Sequence, residues 1–113
     1  MCSTNDLNNI IDVIKRAYKD VYGEDIIRIL LYGSYARGDN RDDSDVDIVA
    51  IVRGDRKSLH ERLRKIWDVS SDLELEYGTI ISPTVIPEDE FERFKEDLPY
   101  YRNILEEGVE LIA

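Results

Sequence analysis

The sequence is poor in cysteine and histidine. Cys2 is the only cysteine among 113 residues, so the chain can form neither an internal disulfide nor a cluster of thiolate metal ligands. His60 is the only histidine, and no cysteine or second histidine lies near it to complete a zinc site, so we expect a surface residue. These shortages exclude disulfide-stabilised scaffolds and the usual zinc centres.

Long apolar runs are also lacking. The longest mainly aliphatic stretch, residues 46–52, includes Asp47 and is far shorter than the roughly 20 residues of a membrane-spanning helix. The first residues, MCSTNDLNN, have neither the basic start nor the apolar core of a signal peptide. We therefore expect a cytoplasmic protein without membrane contact. The length predicts one domain, residues 1–113, that is large enough to form its own core.

Positive charge is scarce: 15 basic side chains stand against 25 acidic ones, for a formal charge of −10. This balance opposes binding to a phosphate backbone, so direct contact with nucleic acid is not expected. A negative surface suits a basic protein partner, or it serves only solubility. The sequence leaves the oligomeric state open, a homo-oligomer included.

Hydrophobic patterning in the first half predicts a helix and two buried strands. Apolar side chains recur on one helical stripe over about residues 5–22, and Gly23 follows as a terminator. Residues 26–32 and 46–52 are short and apolar apart from one charged residue each, Arg28 and Asp47, which is typical of buried strands.

Patterning in the second half predicts a long helix over residues 58–77. Ser58 and Glu61 have the spacing of a capping box, and Trp67 fits the buried stripe of this helix.

The remaining segments predict the fold class. Residues 79–86 are strand-like, but Pro83 cannot donate to a ladder, so this strand should lie at an edge or a bulge. Short helices from residue 88 and from residue 99 follow, with a last strand over residues 109–113. The order of elements is that of a layered α/β domain of the α+β kind, with helices packed on a small mixed sheet.

Five aspartates lie within nine residues, from Asp39 to Asp47, directly before the second buried strand. Like charges at such short spacing repel one another, so the cluster lowers the stability of the folded protein unless a positive charge offsets it. Asp45 and Asp47 are two apart, which on a strand places both carboxylates on one face, roughly 7 Å apart along the backbone. Such a pair is a hard oxygen site for Mg²⁺.

A Gly-Ser turn follows the first strand. Gly33 allows close backbone approach, and Ser34 offers a hydroxyl and an amide at the start of a short helix, where phosphate is favoured. If the two buried strands are neighbours, this turn and the aspartates lie together at one end of the sheet. A nucleoside triphosphate and its metal would then bridge them.

The spacing of these residues resembles a known signature. Gly33 and Ser34, ten further residues and then the Asp45-Val46-Asp47 tripeptide are typical of the polymerase-β nucleotidyltransferase superfamily. The full stretch, GSYARGDNRDDSDVDIVAIV, closely resembles the minimal nucleotidyltransferases, which pair with HEPN-domain proteins in toxin–antitoxin modules. The resemblance is strong over residues 26–52 and is compatible with nearly the whole chain.

The resemblance implies the nucleotidyltransferase fold and an enzyme that transfers a nucleoside monophosphate, expected to be AMP from ATP, to an acceptor hydroxyl. Asp45 and Asp47 would hold two Mg²⁺ ions. Gly33 and Ser34 would bind the phosphates, and Arg37 would place a guanidinium on them. In the family that the chain resembles, the acceptor is a tyrosine of the HEPN toxin, which implies an antitoxin role.

One part of the superfamily pattern is not found. A third carboxylate usually lies on a neighbouring strand after the long helix, where this chain has Ser82, and serine cannot replace a metal-binding carboxylate at neutral pH. Asp72, Glu74 and Glu76 are the candidate substitutes, although they also fit a solvated helix face. The alternative function is therefore a catalytically weak or inactive nucleotide-binding module that neutralises a protein partner by binding.

Two other interpretations are less well supported. The acids at positions 43, 45 and 47 match the first three ligands of a calcium-binding EF-hand. However, Ile48 stands where that loop needs glycine, and Gly54 stands where it needs glutamate. Tyr100 and Tyr101 could stack on RNA bases, but the net charge opposes this, so we expect packing in the core or at an interface.

Overall fold

The computed structural model describes residues 3–38 and 45–112. Four strands form one mixed sheet in the order β3-β2-β1-β4, with helices on both faces, which confirms the predicted fold class. In chain order the elements are α1 (Thr4–Tyr22), a 3₁₀ turn (Gly23–Asp25), β1 (Ile26–Tyr32), α2 (Ser34–Arg37), β2 (Val46–Val52), α3 (Arg56–Tyr77), β3 (Ile81–Pro87), α4 (Glu88–Phe94), α5 (Pro99–Glu107) and β4 (Val109–Ile112).

The helix α1 has a side-chain cap at its start and a glycine at its end. The Ser3 hydroxyl accepts a hydrogen bond from the backbone N–H of Asp6 at 3.1 Å, and Gly23 follows the last turn with φ +56°. The buried stripe packs against α3 and one face of the sheet. None of the helices in the described parts of the chain is long and apolar enough to cross a bilayer.

Strand pairing surrounds Asp47 with two neighbours. β1 and β2 are antiparallel, so the end of β1 lies beside the start of β2, and Tyr32 is paired with Asp47. β2 and β3 are parallel, and Asp47 is paired with Ser82 on the other side. β3 is an edge strand, as the proline at position 83 predicts.

The two faces of the sheet have different partners. Val46, Ile48 and the other even-numbered residues of β2 belong to a core cluster with α1 and α3. Val49 and Ile51 point the other way, into a smaller cluster with α4 and α5. Because side chains alternate along a strand, Asp47 shares the face that α4 and α5 cover.

The helix α3 begins earlier than predicted. Its N-cap is Asp55, whose carboxylate accepts a hydrogen bond from the backbone N–H of Ser58 at 2.9 Å. The predicted capping box of Ser58 and Glu61 is therefore wrong, because Ser58 already lies inside the first turn. The helix ends at Gly78 as predicted, with the glycine in the left-handed conformation at φ +67°.

Trp67 covers an edge of the sheet and does not lie in the core. Its side chain is 46% exposed, so the prediction that it belongs to the buried stripe is wrong. The stripe of α3 is formed by Leu59, Leu63, Ile66, Ser70 and Leu73. The Trp67 indole N–H donates to the carbonyl of Pro83 at 3.1 Å, which satisfies an outward-facing group of the edge strand β3.

An ion pair ties α3 to the helices on the opposite face. The Arg56 guanidinium binds both carboxylate oxygens of Glu90 in α4, with Nε and Oε1 2.9 Å apart. The Tyr101 hydroxyl also donates to Glu90, at 3.4 Å, and its ring is buried as the sequence predicts. His60 is partly exposed beside Arg56, in agreement with a surface position.

Candidate functional site

The Gly-Ser turn and Asp47 lie against each other at one end of the sheet. Gly33 has φ +81° and ψ −154°, a region that glycine alone adopts readily. A Cβ atom built on Gly33 would lie 2.7 Å from Oδ2 of Asp47. The turn can therefore approach the carboxylate only because residue 33 has no side chain.

Ser34 begins the short helix α2 directly after this glycine. The backbone N–H of Arg37 donates to the carbonyl of Gly33 at 3.1 Å, and Gly38, at φ +82°, closes the helix by donating to the carbonyl of Ser34. The Arg37 guanidinium pairs with Glu107 of α5 at 3.5 Å, with both side chains partly exposed. Its assignment to phosphate stays a prediction.

Asp45 directly precedes β2, and Asp47 is the second residue of the strand. Burial, and after it the negative charge of Asp45, raises the pKa of the Asp47 carboxyl. The two carboxylates are therefore close enough to repel each other. The structure brings Gly33 against Asp47 and Asp45 near Asp47, and Ser34 follows Gly33 in the chain. Arg37 is the last residue of the single turn of α2.

The paired aspartates suit a magnesium ion. Mg²⁺ is usually held by one or two carboxylates together with waters and substrate phosphates, and a cation would relieve the repulsion between Asp45 and Asp47. Within residues 3–38 and 45–112 no group of three acidic, histidine or cysteine side chains is arranged so that it could hold a metal ion. Asp39, Asp42 and Asp43 of the acidic cluster lie outside the described residues.

The calcium-loop interpretation fails on the fold. Ile48 is buried within β2, so an extended strand stands where an EF-hand loop would have to turn. Asp43, the first ligand that this interpretation needs, lies outside the described residues.

The strand next to Asp47 carries serine at the position where the superfamily pattern has an acid. Ser82 of β3 is in register with Asp47, so the two side chains are neighbours on one face. Glu74 accepts a hydrogen bond from the backbone N–H of Ile81 at 3.2 Å and is held at the start of β3. Because α3 packs on the opposite face of the sheet, Glu74 and its neighbouring acids in α3 belong to the other side of the sheet from the face that Asp47 shares.

A cavity of about 130 Å³ opens beside Asp47. It is lined by Tyr32, Asp47, Ile48, Val49, Ser82, Thr84 and Tyr100. The rings of Tyr32 and Tyr100 meet edge to face, with centroids 5.8 Å apart. Sequence reasoning did not place either tyrosine at this site, and it considered Tyr100 only for stacking on RNA or for packing. Tyr32 was identifiable as the last residue of β1 before the turn, whereas Tyr100 comes from α5 and no local pattern connects it with the aspartates.

Gly33→Ala is expected to abolish the binding of Mg²⁺-ATP and to lower the stability of the folded protein. An alanine at this φ and ψ adds roughly 1–3 kcal/mol of backbone strain, and its methyl group displaces the Asp47 carboxylate from the turn. The measurements are urea unfolding and binding of Mg²⁺-ATP.

Gly38→Ala is the control for this prediction. Gly38 also has positive φ, but it lies in the ordinary left-handed region, and a Cβ there has no atom within 4 Å. This variant should lose about 1 kcal/mol and keep its nucleotide binding. Equal losses of binding in both variants would show that strain in the turn, and not displacement of Asp47, is responsible.

Comparison with known sequences gives one family. The sequence profile of the nucleotidyltransferase domain matches residues 7–111. Two proteins of Methanocaldococcus jannaschii named as protein adenylyltransferases are similar: MJ1305 is 38% identical over 71% of this chain, and MJ0604 is 37% identical over 81%. The chain spans 54% of the length of MJ1305 and 84% of MJ0604.

Solved structures share the fold at low sequence identity. A toxin–antitoxin complex with AMP-PNP contains a chain that is 16% identical, with a TM-score of 0.56 over 90% of this chain and 72% of that one. A structure described as a minimal nucleotidyltransferase is 22% identical, with a TM-score of 0.54 over 96% of this chain and 99% of that one.

Proposed function

Because the chain belongs to the nucleotidyltransferase domain family, and within it resembles the minimal nucleotidyltransferases, we propose that it transfers a nucleoside monophosphate, AMP from ATP, to a hydroxyl of a partner protein. The observation that carries this proposal is the contact between the Gly33 turn and Oδ2 of Asp47. A phosphate-binding bend directly beside a metal-binding carboxylate suits a triphosphate whose phosphates carry the metal ion.

Each site residue has a distinct role in this proposal. Asp45 and Asp47 would hold two Mg²⁺ ions, which would lower the pKa of the acceptor hydroxyl and offset charge on the leaving pyrophosphate. Ser34 and the backbone of the turn bind the β- and γ-phosphates.

Arg37 adds a guanidinium to these phosphates. Its pairing with Glu107 is long, at 3.5 Å, and partly exposed, so it contributes less than about 1 kcal/mol and can exchange for a phosphate.

The acceptor is proposed to be a tyrosine hydroxyl of a HEPN-type toxin, so that the chain acts as an antitoxin. The two relatives named as protein adenylyltransferases support a protein as acceptor, and the toxin–antitoxin complex that shares the fold supports a toxin as that protein. The formal charge of −10 favours association with a basic partner.

The test is transfer of label from α-³²P-ATP, with Mg²⁺, to a co-expressed HEPN-domain protein. The native chain should label the partner, and Asp45→Asn should lose the label because a metal ligand becomes a neutral amide. Asp68→Asn, which makes the same change of charge at an exposed position of α3, is the control. Labelling that survives Asp45→Asn would overturn the proposal.

Ser82 supports a second candidate function, a module that binds nucleotide and neutralises its partner by covering it. The residue paired with Asp47 lacks the carboxylate that metal catalysis in this superfamily generally uses. If this second function is correct, the Asp45→Asn variant should neutralise the partner as fully as the native chain does. The transfer proposal expects neutralisation to disappear together with the label.

A further inference from the structure

Tyr100 places a phenol in the same cavity as Asp47. It is the second residue of α5, after Pro99 at the first helical position. Its side chain is 48% exposed, so it is accessible from solvent while its ring lines the cavity. The cavity thus contains a hydroxyl of the chemical type that the proposed function uses as acceptor.

Neighbouring groups hold the phenol in place. Its ring meets Tyr32 edge to face and lies 5.9 Å from the ring of Tyr101. Burial raises the pKa of Tyr100, and a hydrogen bond between its side chain and Thr84 acts in the opposite direction. Tyr100 and the carboxylate that is proposed to bind the metal line the same cavity.

We propose that Tyr100 is an internal acceptor and that the chain, when no partner is present, nucleotidylates its own Tyr100 hydroxyl from a nucleoside triphosphate. This inference rests on the proposed function. A bond forms between Oη of Tyr100 and the α-phosphorus, and the bond from that phosphorus to the bridging oxygen breaks. Pyrophosphate leaves with the electron pair, and the phenol proton passes to solvent.

The placement of Tyr100 has two kinetic consequences. An acceptor held in the cavity reacts without a bimolecular encounter, so the initial rate per chain should not depend on the concentration of the chain. The product, a nucleotide joined to Tyr100, then occupies a cavity of only about 130 Å³. Labelling should therefore stop at one nucleotide per chain, and the modified chain should transfer poorly to other acceptors.

The first experiment incubates the purified chain with α-³²P-ATP and Mg²⁺ without a partner and maps the label. Trypsin should release residues 96–102, which contain both Tyr100 and Tyr101. Fragmentation between the two tyrosines should then assign the added nucleotide to Tyr100.

Two conservative variants complete this experiment. Tyr100→Phe keeps the ring contacts and should lose the label. Tyr101→Phe should keep it, because the Tyr101 side chain is buried and its hydroxyl donates to Glu90, outside the cavity lining.

A parallel reaction with a HEPN-domain partner separates the possible failures. If the partner is labelled while Tyr100 carries no nucleotide, or while the chain is modified at another residue, the internal acceptor is ruled out and the proposed function stands. If neither partner nor chain is labelled, both fail together. A rate per chain that rises with chain concentration would also contradict a reaction within one molecule.

Discussion

Asp47→Asn is expected to reduce nucleotidyl transfer by at least about a hundredfold and to stabilise the folded protein at the same time. The loss of transfer follows from replacing a proposed metal ligand by an amide, since removing one preorganised electrostatic group typically reduces rates by about 10²–10³. The gain in stability follows from the environment of the carboxylate. Burial and the charge of Asp45 both disfavour its ionised form in the folded state.

The sign of the pH dependence follows from the raised pKa of Asp47. Between its unfolded and folded pKa values the folded state binds more protons than the unfolded state, so the contribution of Asp47 to stability is largest at low pH. That contribution is lost as the pH rises through the folded pKa. At neutral pH, in the absence of metal, the ionised Asp47 is therefore destabilising, and the amide removes this effect.

Urea unfolding of both proteins in EDTA, at pH 7 and pH 5, measures the effect. The relevant quantity is the difference in the free energy of unfolding between the variant and the native chain, because other groups also titrate. Glu90 is one of them: its hydrogen bond with Arg56 lowers its pKa, so its contribution to stability is lost as the pH falls. The stabilising difference should be larger at pH 7 than at pH 5.

Mg²⁺ and a control variant make this prediction specific. Mg²⁺ should raise the melting temperature of the native chain more than that of Asp47→Asn, because only the native site keeps both carboxylates. Asp68→Asn should change neither transfer nor the response to Mg²⁺. An inactive Asp47→Asn that is also less stable than the native chain at pH 7 would show that Asp47 has a structural role that its burial does not reveal.

Ser82→Asp is expected to tighten Mg²⁺ binding at least about tenfold and to increase nucleotidyl transfer. Ser82 is in register with Asp47 on the neighbouring parallel strand, so the new carboxylate would complete a group of three with Asp45. Loss of a group that only supports a metal ligand typically lowers metal affinity by about 10–100-fold. A side chain that binds the metal directly should contribute at least as much.

The same substitution should destabilise the metal-free fold. Adjacent strands are about 5 Å apart, and two like charges at that distance repel by roughly 1–3 kcal/mol near a protein surface. Mg²⁺ should restore most of the lost stability, and this recovery distinguishes a completed metal site from simple misfolding.

Ser82→Asn is the matched control, because asparagine has the shape of aspartate without its charge. Isothermal titration with Mg²⁺ in the presence of a nonhydrolysable ATP analogue compares the two variants. If Ser82→Asp binds Mg²⁺ no more tightly than Ser82→Asn, a side chain at position 82 does not reach the metal site. Any transfer by the chain must then proceed without a carboxylate at this position.

Local signals were sufficient for most of the elements. The strands β1 and β2 have the bounds that their apolar runs predict, since each run is bordered by polar or glycine residues that cannot extend a buried strand. The start of α3 was predicted too late, because the prediction followed the capping-box spacing of Ser58 and Glu61 and the structure caps the helix with Asp55. Trp67 was misplaced because periodicity identifies a stripe but not its width.

The sequence by itself determined the Gly-Ser turn, the two aspartates and the strands that carry them, since these residues lie close together in the chain and their conformations are local. Only the tertiary structure decided how the surroundings of Asp47 are completed. The resemblance indicated Ser82 on the neighbouring strand, and the register of β3 confirms this position. Tyr100 lies far from Asp47 in sequence and comes beside it only through the docking of α5. Pairing and packing over such distances depend on the fit of whole surfaces, which no short stretch of sequence encodes.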